Sequence, residues 1–336
     1  MAVIVHISLN HAFNDSRIYS KEICSIKEKY EVWYFTTDNR IEQDSKVKTR
    51  LLKKRKTLIG LVLSLIEIKR TLKKIGQVDI VHIHDPILLL LSFVKNKNWK
   101  LVYDKHEYYE GYYKWHIRFN WLLRLGVSKL YSLLEFVALK NVDAIVQVSN
   151  QMPKTRFPEK EIVIPNYPFR KEFTLIPFEN RKNDLVFLGS INRYRGLHKI
   201  IEILPDLSED TLFHIIGDFT DKDYESKLRA LPGWRKVVYH GFLSHSDAEP
   251  ILKESKIGVM LFDNIPNHRY SLPTKYFEYV QFELNILRNN KIDLSLEKTI
   301  AKLFVEKKQE EQAIEYFDSL VDILCKMYDS LQFRTK

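Results

Sequence analysis

Short β-type runs alternate with helical stretches along almost the whole of this chain, and that alternation restricts it to parallel sheets joined by crossover helices. In the first half, residues 3–7, 32–36, 79–84, 101–104 and 144–148 are predicted strands, with 162–164 as a short sixth. Between them, residues 20–28, 58–75 and 119–139 repeat apolar side chains at helical spacing. The pattern restarts with residues 185–188, 213–216, 237–239 and 257–262. The interruption at 166–183, rich in proline and charge, reads as a linker. With 336 residues the chain exceeds one ordinary core and suits two domains of about 150 residues each. The expected organisation is α/β: Rossmann-like domains at 1–165 and 184–316, then a C-terminal helix at 317–336 that packs back on the first domain.

Hydrophobic residues make up 45% of the chain and aromatics 12%, which argues for a folded protein rather than a disordered one. The net charge of +10 favours anionic partners. The charge is dispersed and no nucleic-acid motif is present, so nucleic acid is not expected as a partner. Only Cys24 and Cys325 occur, far apart in sequence, which suits a reducing compartment and offers no CxxC metal site. The opening residues read as a strand rather than a secretory leader, so a cytoplasmic location is expected. The longest apolar stretches fall short of the roughly 20 residues of a membrane span.

Glycine points to the ligand. Of ten glycines, six lie between Gly189 and Gly258, and Gly189, Gly196, Gly217 and Gly241 sit at or just after strand ends. Ligands of open α/β sheets bind off the carboxyl ends of strands, where tight turns bring backbone amides to phosphate. A phosphate-bearing ligand is therefore expected in the second domain. There the turn 189–196 carries Arg193 and Arg195 ahead of a helical stretch, a placement that can neutralise a diphosphate. Further on, Arg269-Tyr-Ser-Leu-Pro-Thr-Lys-Tyr-Phe-Glu-Tyr279 follows a buried strand and opens a helix near Pro273. Lys275 and Glu278 then stand one turn apart, a cation and a carboxylate beside a helix N-terminus.

In the first half, Asp104-Lys-His-Glu107 ends a strand and enters a tyrosine-rich stretch, where His106 is placed to handle a proton. The group His82, His84, Asp85, Asp104, His106 and Glu107 raises the question of a metal. His82 and His84 share one strand face with no further ligand at a characteristic spacing, so no metal is expected there. After the first strand, Asp15 and Arg17 precede a helix, and Asp15 can cap it.

These segments resemble the family-4 glycosyltransferases, retaining enzymes of the GT-B fold, in which two Rossmann-like domains face each other across a cleft. The family shows a Pro-x-Lys-x-Phe-Glu-Tyr segment after a strand, matched by residues 273–279, and a glycine-to-Arg/Lys-Gly loop whose last basic residue corresponds to Arg195. It has a histidine after the strand that ends at Asp104, matched by His106, and an Asp-x-Arg first loop, matched by Asp15 and Arg17. The resemblance implies transfer of a sugar from a nucleotide-diphosphate sugar to a glycan or lipid-linked acceptor, without a cofactor or divalent metal. It implies Arg195 and Lys275 at the donor diphosphate, with Gly189, Arg193, Gly217 and Gly241 around it, and Glu278 on the ribose hydroxyls. Asp15, Arg17, His106 and Glu107 fall on the acceptor side, and His106, Arg195 and Lys275 are the expected catalytic groups. The donor side has no convincing Asp-x-Asp pair, Asp218 and Asp221-Lys-Asp223 being the nearest candidates. Tyr270 stands where many members carry a second glutamate, eight positions before Glu278. A GT-B nucleotide-sugar epimerase and a non-catalytic partner subunit are the alternatives.

Lys53-Lys-Arg-Lys56 precedes the apolar-striped, basic helix at 58–75, and residues 108–124 are aromatic and basic. Such segments suit attachment to an anionic membrane at its cytoplasmic face, as well as a core-facing helix with a solvated back.

Overall fold

The computed structural model describes residues 1–55, 57–116, 120–169, 174–262, 273–289, 300, 303 and 321–333. The chain divides into two compact units. The first comprises the residues up to Phe169 and the helix Val321–Phe333; the second begins at Arg170.

In the first unit, strands β1 (Val3–Ser8), β2 (Glu31–Thr36), β3 (Val47–Leu51), β4 (Ile80–Ile83), β5 (Lys100–Lys105), β6 (Ala144–Gln147) and β7 (Glu161–Val163) form one sheet. Their order is β3-β2-β1-β4-β5-β6-β7, and every neighbouring pair is parallel. Period-2 alternation divides each strand between two cores. Ile4, Ile80 and Val102 face one core, closed by the π-helical stretch Ser16–Ile23 and the Val321–Phe333 helix. Val5, Ile7, Val81 and Ile83 face the other, closed by the Leu58–Ile75 helix, the 3₁₀ helix Pro86–Phe93 and the end of the Trp121–Leu139 helix. Strand β3 was not anticipated, because it lies at the sheet edge and of its five residues only Val47 is buried.

The second unit holds β8 (Lys182–Leu188), β9 (Phe213–Ile216), β10 (Val237–Gly241), β11 (Ser255–Met260) and β12 (Asn285–Arg288), in the order β10-β9-β8-β11-β12. All pairings are again parallel. Strand β8 begins inside the segment read as linker. Strand β12 escaped the sequence reading because it opens on a polar residue. Asn285 is nevertheless buried, and its Nδ2 donates to the Leu303 carbonyl at 2.6 Å.

Strand order reverses at β1/β4 in the first sheet and at β8/β11 in the second. Such reversals open a crevice at the carboxyl ends of the two strands, where open α/β sheets bind ligands. Topology thus directs attention to the residues after β1 and β4 in one unit, and after β8 and β11 in the other.

Candidate active site

In the second unit, β8 ends into Gly189 and β11 into Leu261 and Phe262. Gly189 donates its amide to Ile216 at 2.9 Å, and Gly217 donates to Gly241 at 2.7 Å, so the three strand ends are laced together through glycine backbone. Gly217 has φ of 135°, and a Cβ there would lie 2.2 Å from the Gly189 carbonyl oxygen; no other residue fits. Beyond Gly189, Asn192 caps the turn Arg193–Arg195 by accepting from the Tyr194 amide. The two arginines then diverge. Arg193 is exposed and reaches Asp221 at 3.6 Å. Arg195 lies half-buried with its guanidinium carbon 4.9 Å from the centroid of Phe262.

The helix Thr274–Gln281 places Lys275 at the same spot. Its Nζ lies 3.7 Å from the centroid of Phe187 on β8 and 5.7 Å from that of Phe262. A Cβ built on Gly189 would meet this nitrogen at 3.4 Å. Lys275 is buried, and its Nζ has no hydrogen-bond partner among the described residues. Burial first, and then the neighbouring Arg195 charge, hold its pKa well below the usual amine value, while Glu278 acts in the opposite sense. Glu278 faces His245, with Oε1 3.5 Å from Nε2. Two cations thus converge on the end of β8, at the reversal point, with glycine turns beside them.

Tyr279 fixes this geometry, a role the sequence did not disclose. Its hydroxyl accepts from the Leu188 amide at 3.0 Å and lies 3.3 Å from the carbonyls of Val186 and Val259. The ring crosses β11 so closely that a Cβ on Gly258 would lie 2.4 Å from it. The helix that bears Lys275 is therefore pinned to the ends of β8 and β11. Arg269 and Tyr270 lie outside the described residues.

In the first unit, His6, His82, His84 and Asp104 fall on one face of neighbouring strands. Asp104 is fully buried and accepts two hydrogen bonds from Arg17, from Nε at 2.8 Å and from a terminal nitrogen at 2.9 Å. It also meets His106 Nε2 at 2.9 Å and His84 Nδ1 at 3.3 Å. Arg17, expected on the acceptor side, is itself buried and bonded to Asp104 and the Ile164 carbonyl. It holds Asp104, and Asp104 holds His106. Asp15 caps the π-helical stretch by accepting from the Arg17 and Ile18 amides and lies 3.3 Å from His11 Nδ1. Glu107 is exposed.

The expectation that His82 and His84 lack further ligands needs correcting. His6 from β1 and Glu22 from the π-helical stretch join them, and one ligand atom from each of the four lies within 4.8 Å of the others. His6 was unrecognised because its strand partner is remote in sequence, and Glu22 because it reads as a helix-surface residue. The imidazoles bond among themselves: His6 Nδ1 meets His84 Nε2 at 3.0 Å, and His82 Nδ1 meets the Tyr328 hydroxyl at 2.5 Å. Burial, and then the neighbouring Asp104 carboxylate, raise the Glu22 pKa well above the carboxylate range. Arg17, 3.2 Å from Glu22, acts in the opposite sense and lowers that pKa. The three imidazoles and Glu22 are gathered beside one buried ion pair, with both Glu22 oxygens and His82 Nε2 lacking a hydrogen-bond partner among the described residues.

The family comparison follows the same division. The family model for Glycosyltransferase Family 4 matches residues 26–155, and that for Glycosyl transferases group 1 matches residues 169–322. The chain belongs to the family-4, group 1 glycosyltransferases. No curated protein sequence matches it. Among solved structures, sucrose-phosphate synthase from Thermosynechococcus elongatus is similar with a TM-score of 0.68 at 13% identity, covering 100% of both chains. HepE from Anabaena, in complex with UDP-glucose, gives 0.61 at 11% identity over 100% of this chain and 94% of that one. WaaG, a glycosyltransferase involved in lipopolysaccharide biosynthesis, gives 0.59 at 14% identity over 99% and 92%. At such identities the likeness is one of fold, and the fold is GT-B.

Proposed function

We propose that this glycosyltransferase moves a sugar from a nucleotide-diphosphate sugar, bound by the second unit, to a glycan or lipid-linked acceptor engaged by the first. The observation that carries the donor assignment is Lys275: a buried amine without a hydrogen-bond partner among the described residues, beside Arg195 and the Gly189 turn. An isolated buried charge is costly, and an anionic ligand relieves that cost. The donor diphosphate supplies two negative phosphates to Lys275 and Arg195. As the bond to the sugar breaks, charge grows on the leaving phosphate and the same two cations stabilise it more strongly, which lowers the barrier. Glu278 accepts hydrogen bonds from the ribose diol. His106, oriented by Asp104, meets the acceptor side of the reacting sugar. Retention of configuration follows the family resemblance, and no divalent ion is required where two cations already serve the diphosphate. The UDP-glucose complex of HepE supports a nucleotide-sugar donor.

The test is transfer itself. Labelled UDP-, GDP-, ADP- and dTDP-sugars are incubated with candidate glycan and lipid-linked acceptors, and the product's anomeric configuration is read by NMR. An acceptor-dependent product with the donor's configuration is expected. Acceptor-independent release of free sugar from every donor would overturn the reading.

A further inference from the structure

We propose that the outer surface of the helical layer formed by Leu58–Ile75, Pro86–Phe93 and Trp121–Leu139 is a docking face for an anionic lipid bilayer. The three elements share one buried cluster on a single face of the first sheet, through Ile68 and Leu72, Leu88 and Leu89, and Ala138 and Leu139. Their outer sides are unusually apolar for a water-facing layer. Ile59 is 77% exposed, with Val62 and Leu63 also exposed, and Phe93 projects from the middle element. On the third element Trp121 is 66% exposed, followed by Leu122, Leu130, Leu133 and Leu134. Exposed apolar side chains gathered on neighbouring elements of one layer mark an interaction site.

Charge selects the partner. The exposed charged residues of the two long helices are Lys69, Arg70, Lys73, Lys74 and Lys129, all cations. Their acids are already taken: Glu67 pairs with Arg55 at 2.6 Å and Glu135 with Lys105 at 2.9 Å. Lys53 and Lys54 add exposed charge just before the first helix. Exposed apolar side chains accompanied by exposed cations on the same two helices fit an interface of acyl chains under anionic headgroups. No helix among the described residues is long and apolar enough to cross a membrane, so attachment here is in the plane of the bilayer. The orientation is also informative. Both long helices leave the carboxyl end of one strand and return to the amino end of the next, from β3 to β4 and from β5 to β6. Their exposed first turns, with Ile59 and Trp121, therefore stand at the sheet edge that carries His84 and His106. Docking by this face brings that edge to the headgroup layer.

The test is co-sedimentation of the full chain with vesicles of phosphatidylcholine alone or mixed with phosphatidylglycerol. Two variants accompany it: Trp121→Ser/Leu122→Ser/Leu133→Ser, and Lys69→Glu/Arg70→Glu/Lys73→Glu. Wild type should pellet with the anionic vesicles and not with the neutral ones, and each triple variant should lower the bound partition coefficient about tenfold or more. All substituted side chains are exposed, so the melting temperature should hold. Equal binding by wild type and both variants overturns the proposal. So does a lipid-independent wild-type dimer that the apolar variant converts to monomer, since a second copy would then cover the face. Neither outcome bears on donor binding, which is measured separately in the second unit.

Discussion

Lys275 and Phe187 are in face contact, with the ammonium nitrogen 3.7 Å from the ring centroid. Neither this contact nor Arg195 satisfies the ammonium, and burial keeps its pKa depressed. The arrangement is unfavourable for the unliganded protein and favourable for an anion. Replacing Lys275 by Met should therefore raise the stability of the free protein by about 1–3 kcal/mol while weakening donor binding by about 1.5–3 kcal/mol. Thermal denaturation and donor titration on the same samples check both halves. A variant that is less stable and binds donor normally would contradict the role given to Lys275.

Proton linkage follows from the same depression. A bound diphosphate favours the charged ammonium and raises the Lys275 pKa, so binding should draw in a proton at pH values above the free-protein pKa. Donor affinity should then fall as pH rises from that value toward the ordinary 10.5 of a lysine. Calorimetry in buffers of different ionisation enthalpy, between about pH 7 and 10, reads the uptake directly. Wild type should show it and Lys275→Met should not; identical buffer dependence in the two proteins counts against the linkage.

The pinning of the Lys275 helix predicts a structural effect. Gly258→Ala drives a methyl into the Tyr279 ring and should cost about 1–3 kcal/mol of stability. Tyr279→Phe leaves the Leu188 amide without its acceptor and should cost about 1–3 kcal/mol, with weaker donor binding as the helix loosens. Unchanged melting and donor affinity in Tyr279→Phe would show that the hydroxyl does not position the site.

In the first unit the two buried acids should behave differently. Asp104→Asn removes the partner of buried Arg17 and should cost about 3–5 kcal/mol, whereas Glu22→Gln replaces a group whose raised pKa favours the neutral form and should cost under about 1 kcal/mol. The pH signs are opposite. Asp104, depressed in the fold, contributes stability that is lost as pH falls below its ordinary 3.8. Glu22, raised in the fold, contributes most below its ordinary 4.5 and loses that as pH rises toward its folded value. Chemical denaturation of both variants across pH measures this, and similar losses in both would show that Glu22 carries charge.

Much of this was legible in the sequence, for reasons the structure makes concrete. The helix Leu58–Ile75 and the strand Phe213–Ile216 lie where local periodicity put them, because burial there follows the repeat. Gly189, Gly217 and Gly241 marked the strand ends because each turns there at positive φ, and Gly217 also lies against the Gly189 backbone. Strands β3 and β12 were hidden, since an edge strand and a strand opening on a buried asparagine carry no apolar run. The assembly of His6, Glu22, His84 and Tyr328 was invisible for another reason. It depends on the parallel register of strands remote in sequence, which no local pattern records.

The most direct test of the donor site is the thermal shift produced by free nucleoside diphosphates. A ligand that binds only the native state raises the melting temperature by an amount that grows with the logarithm of its concentration over Kd. UDP, GDP, ADP and dTDP are titrated into wild type and into the Arg195→Ala/Lys275→Met double variant, in excess EDTA so that a metal contributes nothing. At least one diphosphate should stabilise wild type, and none should stabilise the variant at the same concentration. If no diphosphate shifts wild type, or if the variant shifts equally, the anion site at the end of β8 is not where the donor binds.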